Sequence, residues 1–226
     1  MKTFDDRAHG LPCLGIGVST EYGAAAAEDA LDVGALAAQY PQYARFLEVG
    51  VSVETGLDQA TLDWVESDRP TTYHFLDINL DDPEDQDDVW LEGVRSIQSH
   101  LNPAWMCGDA GLWHFGRRDR GHMLLLPPIL SRESAARMAD GIISLREATG
   151  LEVLPENPPG HVFLGDMHLL DFFSEVLDRA DTGMLLDAAH LAIYQDVMGF
   201  DALTGLDGFP LDRIVEMHVA GASNMT

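Results

Sequence analysis

A chain of 226 residues that is 46% hydrophobic can bury a substantial core, and its length suits one domain, residues 1–226, better than two. Thirty-eight acidic residues against thirteen basic ones, with Lys2 the single lysine, give a formal net charge of −25. That field repels phosphate backbones and anionic lipid, so it argues against nucleic-acid and membrane partners. No run of about 18 apolar residues occurs and the amino end, MKTFDDRAHG, carries no signal-like stretch, so a cytoplasmic location is expected.

Along the chain, short apolar runs alternate with longer stretches of helical period, the pattern of βα units. The first run, 13–18, contains Gly15-Ile16-Gly17, which lacks the third glycine of a dinucleotide fingerprint and reads as a tight strand passage. Further strands are expected at 45–49, 72–77, 104–108, 151–155, 182–186 and 214–219, seven in all. Helices are expected at 59–67, 89–100, 131–149, 169–179 and 191–199. Ser131 suits the opening of the third of these and Gly150 its close. The densest acidic run, Asp81 to Asp88, reads as a solvated loop entering a helix N-terminus. Leu124 to Pro128 reads as an apolar loop packed on the sheet. Arg117, Arg118 and Arg120 form the one basic cluster, a solvated loop or a dock for the acidic part of a peptide. Cys13 and Cys107 form no CxxC pair and are expected as free, buried thiols. The acidity is spread along the chain, which fits a surface adapted to high salt better than one acidic docking face.

Repeated βα units imply an α/β fold of the triosephosphate-isomerase barrel type, with seven recognisable strands where closure takes eight. In such barrels functional groups gather at the carboxyl ends of the strands. Here those ends carry Glu48, His74, Asp109, Glu156 beside Asn157, Asp187 and His218, and His190 falls one helical turn beyond Asp187. Imidazole suits iron, zinc and manganese, carboxylate can bridge two cations, and carboxylates gathered without a cation would repel one another. Oxygen and nitrogen donors favour iron or manganese over a thiolate-bound zinc, with zinc still open. The duller reading of any one strand-end carboxylate is a helix cap. His9, His100, His114, His161 and His168 read as surface, loop or packing residues. Recurrence at the ends of separate strands is what capping alone does not require.

Order and spacing carry a resemblance across most of the chain. Gly15-Ile16-Gly17, Leu47-Glu48-Val49, Tyr73-His74-Phe75, Gly108-Asp109-Ala110, Leu124 to Pro128, Pro155-Glu156-Asn157-Pro158, Leu186-Asp187-Ala188-Ala189-His190 and Met217-His218-Val219-Ala220-Gly221 resemble the ordered motifs of the multinuclear non-heme iron-dependent oxidative enzymes, the family of the methanobactin-biosynthesis oxidase. The resemblance implies a barrel holding two or three irons that uses dioxygen to modify side chains, often cysteine, in ribosomally made peptides presented by a partner protein. His74, Asp109, Glu156, Asp187 and His218 match its metal ligands, and Glu48 matches more loosely. Ala110, Met198 and His190 depart from its pattern, so one or two ions, with His190 as a substitute ligand, are expected rather than three. The leading expectation is therefore an iron-dependent oxidoreductase acting on a peptide or small thiol. Two rivals stand beside it: a sugar-isomerase-like enzyme with a divalent metal, and a non-catalytic barrel that binds a partner.

Overall fold

The computed structural model describes residues 3–20, 31–116, 120–121 and 123–220. One sheet of seven parallel strands runs in chain order: β1 (Val18–Thr20), β2 (Leu47–Val51), β3 (Thr71–Phe75), β4 (Met106–Asp109), β5 (Val153–Glu156), β6 (Met184–Asp187) and β7 (Ile214–His218). The sheet curls into a half-barrel, the α/β barrel type expected, and among the described residues β1 and β7 are its two edges. Helices α1 (Phe4–Ala8), α2 (Val33–Gln39), α3 (Gln59–Glu66), α4 (Asp88–Leu101), α5 (Arg132–Thr149), α6 (Leu169–Ala180) and α7 (Ala188–Met198) connect and cover it. None of the described helices is long and apolar enough to cross a membrane.

Alternation along the strands sorts the core into two faces. Outward residues such as Leu47, Val49, Tyr73, Phe75, Met106, Val153 and Met184 pack beneath the helices, with Phe172, Phe173, Val176 and Leu177 of α6 fully buried against them. The inward face starts with an apolar plug of Leu14, Phe46, Trp105, Cys107, Leu154 and Leu185. Moving two residues along the strands from Cys107, Leu154 and Leu185 gives Asp109, Glu156 and Asp187, so the same period that fills the floor makes the mouth polar.

Local chemistry fixes the elements much as read from sequence. Ser131 caps α5 by accepting from the Ser134 N–H, and Gly150 ends it at φ 74°. Three features differ. The first strand begins at Val18 instead of residue 13, because Gly15 turns the chain at φ 85° and Gly17 lies flat against the Phe46 ring. The acidic run is not wholly solvated: Asp85 is buried, accepts from the Asn79 N–H at 3.0 Å, and faces His114 at 3.0 Å and Arg120 at 3.2 Å, while Asp87 caps α4. Cys107 is buried as expected but Cys13 is exposed, since the irregular entry to β1 leaves it outside the plug. Leu126 pairs with Leu112 in a short antiparallel bridge, which places the Leu124 to Pro128 segment against the loop after β4. Arg117 and Arg118 lie outside the described residues.

Candidate metal centre

All seven side chains expected at the strand ends meet in one cluster. Its centre is Glu156, the last residue of β5, 1% exposed. Glu156 Oε2 lies 2.9 Å from His74 Nε2, and Oε1 lies 3.2 Å from His218 Nδ1 and 3.4 Å from His190 Nδ1. Asp109, closing β4, pairs in register with Glu156 and brings Oδ1 to 3.7 Å from His190 Nδ1. Asp187, closing β6, caps α7 through the His190 N–H at 2.7 Å, and its Oδ2 lies 3.7 Å from both His190 Nε2 and His218 Nδ1. The helix therefore starts where His190 is turned inward, as the three-residue spacing implied. The His74 and His218 rings stack at 6.2 Å and 19°.

Glu48 is positioned differently from expectation. It is the second residue of β2, not its end, so it rises from a deeper layer. Its Oε1 lies 3.0 Å from His218 Nε2, a contact that ties β2 to β7 across the mouth of the half-barrel. Ser19 donates to the same oxygen, and the Cys107 thiol donates to Oε2 at 3.2 Å. Glu216 was missed by the sequence reading. It lies two residues before His218 on β7, hence on the same face, is buried, and accepts from Trp105 Nε1 at 2.6 Å. That period of two was the available signal.

Three donor groups result: His74, Asp109 and Glu156; Glu156, Asp187 and His190; and Glu48, Glu216 and His218, with the ligand atoms in each within 4.8 Å of one another. Asn157 braces two of the strand ends. Its side chain exchanges hydrogen bonds of 2.9 Å with the Asp187 backbone, and its carbonyl faces His190 Nδ1 at 2.9 Å.

The electrostatics show what this cluster lacks. Burial opposes the charge on Glu48, yet the His74 charge and the His218 hydrogen bond hold its carboxyl at about 2. Burial likewise opposes the charge on His74, but Glu48 and Glu156 raise it to about 9; contacts with Asp187, Glu156 and Glu48 raise His218 also. Glu156 and Asp187 are held low despite burial, by His218 with His74 and by His218 with the His190 N–H respectively. Burial and then Glu156 push Asp109 well up, and burial and then Glu48 push Glu216 to about 7. Imidazolium protons are thus the only positive charge facing these carboxylates among the described residues. Even so, Asp109 Oδ1 is buried with no hydrogen-bond partner, and Glu156 Oε1 meets His218 and His190 only in contacts that fall short of hydrogen-bond geometry. A buried oxygen without a hydrogen bond is costly, and a divalent cation bonded to Asp109 and Glu156 would satisfy both. The donor set fits a metal.

A profile of the family described as RiPP precursor modification enzyme MbnB/TglH/ChrH matches residues 29–226, which include every donor above. The chain belongs to this family. It is 28% identical over 173 residues to a UPF0276 protein of Anaeromyxobacter sp. (strain Fw109-5), covering 75% of this chain and 60% of the relative. It is 27% identical over 218 residues to a UPF0276 protein of Bordetella pertussis, covering 95% and 72%. The chain thus spans about 60% of the length of the first of these relatives. In fold it is similar to a 3-keto-D-glucoside 4-epimerase from E. coli, with a TM-score of 0.51 and 15% identity over 92% of this chain and 79% of that one. The family resemblance read from the motifs is borne out, and so is the barrel type.

Proposed function

We propose that this protein is a non-heme iron-dependent oxidoreductase that uses dioxygen to modify a peptide or small-molecule thiol, in the cytoplasm, with a peptide-presenting partner protein where the substrate is a peptide. The observation that carries this reading is the buried Asp109 and Glu156 carboxylates, with Asp109 Oδ1 unpartnered, clustered with three histidines in a chain of this family. His74, Asp109, Glu156, Asp187, His190 and His218 would hold the metal, and Glu48 with Glu216 would bind a second ion or a proton beneath it. One or two ions fit the groups better than three, because Glu156 is shared between two of them. Bound iron supplies one-electron exchange with dioxygen and a Lewis acid for a thiolate. The chain itself contributes geometry. The short tether from Asp187 to His190 fixes one imidazole, the Asn157 brace fixes the β5 and β6 ends, and the plug of Phe46, Trp105 and Leu154 closes the floor against water.

The test is to purify the protein without oxygen, measure iron, manganese and zinc by elemental analysis, and follow dioxygen uptake with cysteine-bearing peptides. Stoichiometric iron and thiol-dependent uptake are expected. A protein free of all three metals sinks the reading. A second reading keeps the metal and makes the reaction an oxygen-independent isomerisation of a hydroxy-carbonyl compound, supported by the epimerase-type barrel. Manganese or magnesium content with turnover in the absence of oxygen would favour it.

A further inference from the structure

A cleft of about 460 Å³ lies at the opposite end of the sheet from the metal centre. Its walls come from the segments entering β1, β2 and β3, with Pro12, Pro41 and Pro70 around Cys13, Arg45 and Arg69. Both guanidinium groups line this cleft. Arg69 stacks over the Trp64 ring at 4.8 Å, and the Trp64 Nε1 in turn donates to the Pro70 carbonyl at 3.1 Å. Arg45 lies along Gly15, where a Cβ would sit 2.6 Å from its Nη1 and 3.1 Å from its Cδ. With φ at 85°, Gly15 is thus required twice, for the turn and for the seat it gives Arg45.

Neither guanidinium has a carboxylate within 4.0 Å among the described residues, in a chain of 38 acidic residues. Arg7, Arg120, Arg146, Arg179 and Arg213 each have one, whereas Arg95, Arg132 and Arg137, like Arg45 and Arg69, have none among the described residues; Arg45 and Arg69 are distinguished by lining the same cleft. Two guanidiniums in one cleft with no carboxylate within 4.0 Å among the described residues, walled by prolines, present donor forks to an oxyanion. We propose that this cleft binds a small anion bearing carboxylate or phosphoryl oxygens, at a site separate from the metal centre.

Cys13 provides the reporter, because it is exposed in the cleft while Cys107 is buried. The experiment compares the rate at which Cys13 reacts with dithiobis-nitrobenzoate, a disulfide with two carboxylates, and with neutral dithiodipyridine, each relative to free cysteine. A net charge of −25 acting alone would slow the dianion. The cleft is expected to reverse this, giving the dianion about a tenfold advantage. Arg45→Gln with Arg69→Gln should abolish that advantage, with unchanged melting temperature and metal content as the check on folding. In the parent protein, succinate or phosphate at constant ionic strength should slow the dianion saturably. Protection by succinate alone assigns a carboxylate ligand, and by phosphate alone a phosphoryl ligand. A dianion slower than the neutral reagent, or an advantage that survives in the double variant, overturns the proposal, as does protection by equal ionic strength of chloride.

Discussion

Glu156 concentrates the consequences of this design, because it faces His74, His190 and His218 at once. Glu156→Gln keeps the shape and removes the charge, so metal affinity should fall by at least about a hundredfold, a loss beyond what outer-shell changes produce. Equilibrium dialysis with ferrous ion or manganese would measure it, and undiminished binding would remove Glu156 from the ligand set. The protons that stand in for metal predict a pH dependence as well. His74 has a folded value of about 9 against an ordinary 6.5, so its stabilisation is complete below 6.5 and is lost as pH rises through about 9. Glu216, raised to about 7 from 4.5, acts in the same direction over a lower window. The metal-free protein should therefore melt at progressively lower temperature between pH 6 and 9, while metal affinity rises because fewer protons must leave. Calorimetric melts of chelated protein would check this, and a melting temperature that climbs over that window would contradict it.

Among the elements, the smallest has a large effect. Helix α1 is five residues long, yet its Arg7 reaches Glu152 at 2.8 and 3.1 Å, and Glu152 is buried just before β5 with Thr182 donating at 2.8 Å. Arg7→Ala would leave that carboxylate with Thr182 and a distant Arg146 at 3.8 Å. The expected cost is about 2–4 kcal/mol, or a fall of roughly 5–10 °C in melting temperature at this chain length. A change under about 1 °C, within the range of a solvated pair, would show that α1 is not seated as described. Neither α1 nor α2 was legible in the sequence. Both are short, and α2 (VGALAAQ) carries a glycine and no charge, so its helix rests on the Asp32 cap and the burial of Val33 and Ala37 rather than on a long periodic face. The strands β2 to β6 were legible because apolar runs buried on both faces have few other uses, whereas the edge strand β7 is only partly buried. Their donors followed from the runs' ends, except where depth mattered. Glu48 and Glu216 lie one layer down, and reading one residue per strand end misplaced the first and passed over the second.

The whole molecule sets a charge problem that the local pairs do not solve. A net −25 on 226 residues repels itself, and the ion pairs described sit mostly at the barrel's two ends. Screening acts on exposed charges separated by more than the Debye length, about 10 Å at 0.1 M salt and about 3 Å at 1 M. Buried contacts such as His218 with Glu48 and His114 with Asp85 are largely shielded from it. Added salt should therefore relieve the surface repulsion without weakening the interior, and melting temperature should rise with sodium chloride from 0.01 to 1 M. The Arg7→Ala variant should rise in parallel with the parent, since its missing pair is part-buried and not a surface term. Where screening is the whole cause, the rise should flatten near 1 M, because the screening length is then shorter than the spacing of most surface carboxylates. A rise that continues to several molar would mark hydrated-ion binding by the acidic surface, the behaviour of a protein adapted to high salt. Melting curves across that series separate the two, and a curve that is flat or falling from the lowest salt would show that the carboxylates are too dispersed for their repulsion to matter.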